Sequence, residues 1–301
     1  MFTVGHADQR EYGGVGVMVD PPNVNVAILP ANAFSAQGSH SGRVTQFVAE
    51  IASRWELPEL PNCEIDVQSP VDHSGLGVGT QLGLAVALGL RHFLERPALP
   101  IESLAASVGR GGRSAVGTHG FEKGGLIVDA GKLRGERLGQ LFRRIEMPRN
   151  WRFVLVQATN RQGLAGVQEA EAFARLPPVP KATTSKLWRV VTEDMIPAVE
   201  AADCAGFGEA VYEFGRLAGA CFAPAQGGTF ASPSIERLVN AIREFGVAGA
   251  GQSSWGPTVF AVVPSDAEAA SLAAWLRNQL ADDESEIMVA APNNCGATLR
   301  S

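Results

Sequence analysis

The run Val71-Asp72-His73-Ser74-Gly75-Leu76-Gly77-Val78-Gly79-Thr80-Gln81 places glycine at alternate positions and leads directly into an Ala/Leu-rich segment, Leu82 to Leu94. Glycines let backbone N–H groups converge, and a helix N-terminus adds partial positive charge, so a junction of this kind suits an anion. A purely structural turn accounts for the same residues, but the apolar helix that follows favours the anion-binding reading. No Gly-Lys-Ser/Thr follows the glycines, so the segment is not a P-loop. The G-x-G-x-G spacing, with no acidic ribose ligand suitably downstream, also excludes a dinucleotide fingerprint. Gly75, Leu76, Gly77, Val78, Gly79, Thr80 and Gln81 are therefore expected to hold phosphate, and the Thr80 hydroxyl could contact a phosphate or a magnesium ion.

Around this junction, period-two and helical patterns alternate. Val15, Val17 and Val19 suggest a glycine-rich strand, Val24, Val26 and Ile28 a second, and Ile65 and Val67 a third. Val44, Phe47, Val48, Ile51 and Trp55 lie at helical spacing. Pro100–Val108 reads as a helix and Gly124–Val128 as a strand. In the second half, Arg152–Gln157, Val259–Val263 and Ile287–Ala290 read as strands. Helices are expected over Val167–Leu176, Leu187–Val199, Ala210–Phe222, Ile235–Phe245 and Ala267–Leu280, and Gly246–Gly251 is expected to be a loop. At 301 residues the chain is long enough for two domains. We place the boundary near Arg149, giving residues 1–149 and 150–301.

Composition removes several classes of function. Hydrophobic residues at 46% and charged residues at 19% exclude wholesale disorder. A net charge of −6 argues against a protein that coats nucleic acid. The longest apolar stretch, Leu82 to Leu90, is far short of a bilayer span, so no membrane partner is expected. Met1 to Arg10 shows neither an apolar nor a basic amphipathic targeting pattern. The scattered Cys63, Cys204, Cys221 and Cys295 form no C-x-x-C pair, which suits a reduced, cytoplasmic protein.

Three further segments carry chemistry. In Val108-Gly109-Arg110-Gly111-Gly112-Arg113-Ser114-Ala115-Val116-Gly117-Thr118-His119-Gly120, Arg110 and Arg113 stand three apart among glycines. Arginine's planar fork suits phosphate or carboxylate, whereas a surface loop with incidental arginines is the bland alternative. In Gly249-Ala250-Gly251-Gln252-Ser253-Ser254-Trp255-Gly256-Pro257-Thr258, Gln252, Ser253 and Ser254 offer polar groups beside the plane of Trp255. No local base accompanies the serines, so a serine-hydrolase reading is weak. Asp8-Gln9-Arg10-Glu11-Tyr12-Gly13-Gly14-Val15-Gly16 is a charged entry to a glycine strand, and Arg10 could line a pocket.

In this order the segments resemble the GHMP kinase superfamily. Within it, His73–Leu82, Val108–Gly111 with Arg113-Ser114, Gly124-Gly125-Leu126-Ile127-Val128-Asp129, Gly251–Thr258 and Tyr12–Met18 are similar to the β-ribofuranosylaminobenzene 5′-phosphate synthases. The resemblance implies an α+β, two-domain fold, with an N-terminal domain like domain 2 of ribosomal protein S5 and a ferredoxin-like C-terminal domain. It implies an early step towards a methanopterin-type one-carbon carrier. In that reaction 4-aminobenzoate and phosphoribosyl pyrophosphate join, with loss of carbon dioxide and pyrophosphate. Magnesium is implied, with no tightly bound organic cofactor, and a homodimer is left open. On this basis Arg110, Arg113, Ser253 and Ser254 are the candidate catalytic residues; Ser253, Ser254 and Trp255 are expected to close the aromatic or ribose side, and Gln252 to bind substrate.

The chain departs from the superfamily pattern in ways that bear on chemistry. Ser114-Ala115-Val116 is followed by Gly117 and Thr118 with no carboxylate, where kinases of the superfamily often carry an acidic catalytic residue. The position of a magnesium-binding helix glutamate falls near Gly109 or Arg110, and an arginine repels a metal while attracting an anion. Met1–His6 does not supply the strand of Arg-Leu-His-Phe-Gly type that usually precedes the early glycine segment. An ATP-dependent kinase and a non-catalytic ligand-binding relative are the competing readings.

Overall fold

The computed structural model describes residue 3 and residues 9–70, 75–158, 176–254, 256–281 and 284–300. The first half contains β1 (Gly14–Val17), β2 (Val19–Asp20), β3 (Asn25–Pro30), β4 (Ser35–Gly38), α1 (Ser41–Arg54) and β5 (Cys63–Gln68). It continues with α2 (Val78–Phe93), α3 (Ile101–Ser107), α4 (Val116–Lys123), β6 (Leu126–Asp129) and β7 (Leu141–Ile145). Beyond position 149 come β8 (Arg152–Ala158), α5 (Lys181–Arg189), a π-helical turn (Val190–Met195), α6 (Ile196–Glu200) and α7 (Cys204–Gln226). α8 (Pro233–Glu244), β9 (Gly249–Gln252), β10 (Val259–Val263), α9 (Asp266–Gln279) and β11 (Ser285–Pro292) complete it.

Three sheets form among the described residues. In the first, β5 lies between an antiparallel β3 and a parallel β4. Its apolar face packs on α1 and α2, where Val44, Phe47, Val48 and Ile51 meet Ile65, Val67, Leu82 and Val86. The i, i+3, i+4, i+7 spacing in α1 is what produces that single buried stripe. In the second, β6 pairs antiparallel with β1 and β7. The third is the antiparallel sheet β2-β11-β8-β10-β9.

Alternation along β8 serves both faces of this last sheet. Val154 and Val156 pack with Val239 and Ile242 of α8 and Leu272 and Leu276 of α9. Phe153 and Leu155 join a second core with Trp151, Leu187, Val191 and Phe207, and that core takes in Leu126 and Val128 of β6. β2 adds a further link between the halves, pairing Val19 with Pro292 and Asp20 with Ala291.

The structure departs from the sequence reading at several points. Gly249–Gln252 is a strand, not a loop. A β-carbon at Gly208 of α7 would lie 2.6 Å from the Gly249 nitrogen, so these glycines permit close helix–strand packing. The arginine–glycine segment becomes helical from Val116, as α4. The expected helix Leu187–Val199 is interrupted by the π turn, next to Pro197, which has no N–H to continue an α ladder. β4 and β7 were not anticipated, because Ser-Ala-Gln-Gly and Leu-Phe-Arg-Arg-Ile carry weak alternation. The expected helix Val167–Leu176 lies, except for Leu176, outside the described residues. No described helix is long and apolar enough to cross a membrane, and all four cysteines are free thiols.

Candidate functional site

A cleft of about 2120 Å³ opens between elements from both halves of the chain. Single small-molecule pockets are typically about 300–1,000 Å³, so there is room for two substrates. The start of α2 forms part of its wall, and Gly75, Leu76, Gly77, Val78, Gly79, Thr80 and Gln81 all line it. Gly77 is the N-cap, in the left-handed region at φ 69, and a β-carbon there would meet nothing within 4 Å. The amides of Val78 and Gly79 lie in the first turn and have no intrahelical acceptor. The Val78 side chain is buried. Gln81 Nε2 donates to the Gly117 carbonyl at 2.8 Å, so that side chain ties α2 to α4.

The late serines fasten this loop. Ser253 Oγ donates to the Gly75 carbonyl at 2.6 Å, across 178 positions of sequence. A β-carbon at Gly75 would lie 2.5 Å from the Ser253 carbonyl oxygen, so only glycine allows the approach. Ser253 thus acts as a clasp on the glycine loop. Gln252 accepts from the Ala231 amide and donates to the Ser254 carbonyl, which shapes the turn between β9 and β10. Ser254 lines the cleft with a positive φ of 52. Trp255 lies outside the described residues.

Arg110 and Arg113 also line the cleft, on a turn that needs glycine at Gly109 (φ 64) and Gly111 (φ 86). That turn is anchored from behind by Asp129 at the end of β6, a fully buried carboxylate. It accepts from the amides of Ala115 at 2.6 Å and Gly131 at 2.8 Å, and from the Ser114 hydroxyl at 3.4 Å. Burial raises the Asp129 pKa above the ordinary range, and the two backbone amides, the nearby His119 and Ser114 oppose the rise. His119 itself is buried and donates from Nε2 to the Gly139 carbonyl at 2.8 Å, so it supports the same turn without reaching the cleft. Its structural role is the bland one.

Arg10 is placed elsewhere than expected. It grips Glu136 with both guanidinium nitrogens, at 2.6 and 3.1 Å, and is not among the cleft-lining residues. That fork holds the Glu136 carboxyl below its usual range. Around Thr80 the lining is glycine and arginine, and no group of three or more His, Cys, Asp or Glu among the described residues could hold a metal. These residues do not fit a magnesium ion caged by protein.

Two features of the site escaped the sequence reading. Arg43, on the first turn of α1, lines the cleft with its guanidinium against Gly79. Its only sequence signal was a cation beside the apolar stripe at Val44 and Phe47. Another part of the lining is apolar. There α7 presents Phe207, Val211, Phe214, Gly215 and Ala218 along one face towards Phe153 and Phe260. Helical spacing was legible in that stretch, but it reads equally well as ordinary core.

Residues 195–282 match the GHMP kinases C-terminal family. The chain superposes on Methanococcus jannaschii mevalonate kinase with a TM-score of 0.68 at 14% identity, over 94% of this chain and 92% of that one. It superposes on a putative homoserine kinase from Listeria monocytogenes with a TM-score of 0.66 at 17% identity, over 97% of each chain. The fold is that of the GHMP kinases. In sequence, the chain is 30% identical over 271 residues to a β-ribofuranosylphenol 5′-phosphate synthase from Methanothermobacter thermautotrophicus, covering 83% of this chain and 81% of the relative. It is 30% identical over 282 residues to the enzyme of that name from Archaeoglobus fulgidus, covering 88% and 83%. The chain belongs to the β-ribofuranosylphenol 5′-phosphate synthase family.

Proposed function

We propose that the protein transfers the 5-phosphoribosyl group of phosphoribosyl pyrophosphate to 4-aminobenzoate, releasing carbon dioxide and pyrophosphate. The observation that carries this reading is the mixed lining of the cleft, which combines glycines and arginines with the aromatic face of α7. A phosphorylated sugar and a benzoate ring call for those two environments. Departure of pyrophosphate breaks the C1–O bond, and its electron pair leaves with the phosphate. The ring carbon that bears the carboxylate then attacks C1. Cleavage of the bond to carbon dioxide returns an electron pair to the ring and restores aromaticity. Carbon dioxide leaves where a proton otherwise would, so the step needs anion cradling and orientation more than a strong base.

In this scheme the α2 turn, Arg110 and Arg113 receive the anionic groups, and Ser253 holds the turn closed. Ser254 is assigned to the aromatic or ribose side. Magnesium is expected to arrive on the pyrophosphate, with Thr80 adding a hydroxyl. The product would feed a methanopterin-type one-carbon carrier. The relatives' name specifies a phenol, so 4-hydroxybenzoate is the acceptor to compare with 4-aminobenzoate.

The test supplies the full chain with phosphoribosyl pyrophosphate, magnesium and carboxyl-labelled 4-aminobenzoate or 4-hydroxybenzoate. Labelled carbon dioxide and pyrophosphate are expected in equal amounts, with the faster acceptor naming the substrate. Enzyme-dependent ADP formation from ATP and a metabolite pool, with no carbon dioxide from either acid, would replace this reading with a kinase.

A further inference from the structure

We propose that Tyr12 is a substrate-contacting residue whose ring packs against the ribosyl group of phosphoribosyl pyrophosphate, an inference that rests on reading the cleft as the site of that donor. Backbone strain points to it. Among the described residues, six other than glycine have a left-handed backbone: Tyr12, His40, Glu56, Glu95, Ala202 and Ser254. Glu56, Glu95 and Ala202 each stand one position beyond the C-cap of α1, α2 and α6, where a left-handed residue is the ordinary way to end a helix. Amides there return to last-turn carbonyls, as from Glu56 to Ser53 and from Leu57 to Ala52. The other three end no helix, and all three line the cleft. His40 is held by a bond from Nε2 to the Pro70 carbonyl at 2.8 Å, and Ser254 by the side chain of Gln252. Tyr12, at φ 64, is the bulkiest of the six, and a left-handed backbone is a genuine outlier for a residue of its size.

The chain on either side forces this conformation. Glu11 exchanges both backbone hydrogen bonds with Lys132, each at 2.9 Å, and the Tyr12 amide donates to the Thr3 carbonyl at 3.0 Å. A β-carbon at Gly13 would lie 2.7 Å from the Asp129 carbonyl oxygen and 2.8 Å from the Gly131 nitrogen, so the backbone after Tyr12 is pressed onto residues 129–132. The same residues carry the arginine turn. Asp129 accepts from the Ala115 amide, and Lys132 Nζ donates to the Gly111 carbonyl at 3.3 Å. Tyr12 and the arginine turn are thus mounted on one support, and both line the cleft. A strained residue persists only where its surroundings over-determine it, and such residues gather at ligand sites. In phosphoribosyl pyrophosphate the ribosyl group is bonded to both anionic groups, so whichever of them the arginine turn holds, the sugar is its neighbour. An aromatic face also suits the positive character that develops at C1 as pyrophosphate departs.

Isothermal calorimetry on the full chain, with ribose 5-phosphate, inorganic pyrophosphate and 4-aminobenzoate as separate ligands, tests the assignment. Tyr12→Asn replaces the ring by a side chain that tolerates the left-handed backbone, and Tyr12→Gly relieves the strain outright. Both should weaken ribose 5-phosphate binding about 2- to 12-fold, the range for one aromatic contact, and leave pyrophosphate and 4-aminobenzoate at their wild-type affinities. Tyr12→Phe keeps the ring and should bind ribose 5-phosphate as the wild type does. Tm should not fall in Tyr12→Gly, whereas a tyrosine that served only packing would lower it. A wild-type ribose 5-phosphate affinity in Tyr12→Asn and Tyr12→Gly, or an equal loss for all three ligands, overturns the contact while leaving the proposed reaction standing. Loss confined to 4-aminobenzoate moves the ring to the acceptor and likewise overturns it. An equal loss in Tyr12→Phe assigns the contact to the hydroxyl and overturns the ring packing. A lower Tm in both Tyr12→Asn and Tyr12→Gly makes the ring a structural anchor and overturns the proposal as well. A wild-type protein that binds neither ribose 5-phosphate nor pyrophosphate removes the phosphoribosyl pyrophosphate reading, and the contact with it.

Discussion

Gly215 offers a test of the acceptor site in the cleft in which stability and binding move in opposite directions. It lies in the interior of the 23-residue helix α7, where glycine is less favourable than alanine by about 1 kcal/mol. Elsewhere on this helix the glycines are explained by packing, since a β-carbon at Gly208 would strike Gly249 and one at Gly219 would strike the Thr229 backbone. At Gly215 a β-carbon meets nothing within 4 Å, and the residue lines the cleft. The open space is what the aromatic acceptor would occupy. Gly215→Ala should therefore stabilise the protein by about 0.5–1 kcal/mol, raising Tm by roughly 1–3 °C. Gly215→Leu should fold equally well but fill the acceptor site. With an overpacking cost of about 1–3 kcal/mol, the acceptor KM should rise roughly 5- to 150-fold. The KM for phosphoribosyl pyrophosphate should stay at its wild-type value, because the glycine loop and the arginines are untouched. Thermal melts of both variants, and steady-state kinetics with each substrate varied in turn, measure these effects. A wild-type acceptor KM in Gly215→Leu would refute the placement of the ring, and a lowered Tm in Gly215→Ala would refute the packing argument.

Two further predictions concern the supports of the glycine loop and the arginine turn. Ser253→Ala removes the bond to the Gly75 carbonyl and should destabilise the protein by about 0.5–1.5 kcal/mol while raising the KM for phosphoribosyl pyrophosphate. Unchanged urea melts and an unchanged KM would show that the clasp does not hold the loop. For Asp129, a folded-state pKa raised by burial means that the folded protein binds the proton more tightly than the unfolded chain. Its contribution to stability is therefore most favourable below the ordinary aspartate value of 3.8 and declines as pH rises through the raised folded pKa. Asp129→Asn should remove that downward component from the stability–pH curve. Urea melts from acid to neutral pH measure it, and parallel curves for variant and wild type would contradict the assignment.

Much of the fold was legible because local patterns and long-range packing agree. The buried stripe of α1, the alternation in β3 and β5, and the apolar run of α2 each state which face must leave water. The late strand–helix–strand of β10, α9 and β11 was likewise readable from its periodicity. Legibility failed where glycine served two purposes. In Gly75 and Gly77 it permits a turn with positive φ, whereas in Gly208 and Gly249 it permits two backbones to touch. The sequence shows the same letter in both cases. It failed again at Gly117–Gly120, where helix α4 forms from a glycine-rich stretch because Gln81, Asp129 and the Gly139 carbonyl secure its first turns from other elements.

The resemblance of its motifs to a known superfamily supplied the class of fold, and by itself the sequence determined the glycine-rich junction at Gly75–Gln81 and the presence of Arg110 and Arg113 beside glycines. Those features depend on backbone freedom, charge and periodicity within a few neighbouring residues. Only the tertiary structure decided that Ser253 clasps Gly75, that Arg10 is taken by Glu136, and that Arg43 lies against Gly79 beside Arg110. Each of these depends on a distance between residues that are remote in the chain. Such distances are set by how sheets and helices pack, so no local pattern encodes them.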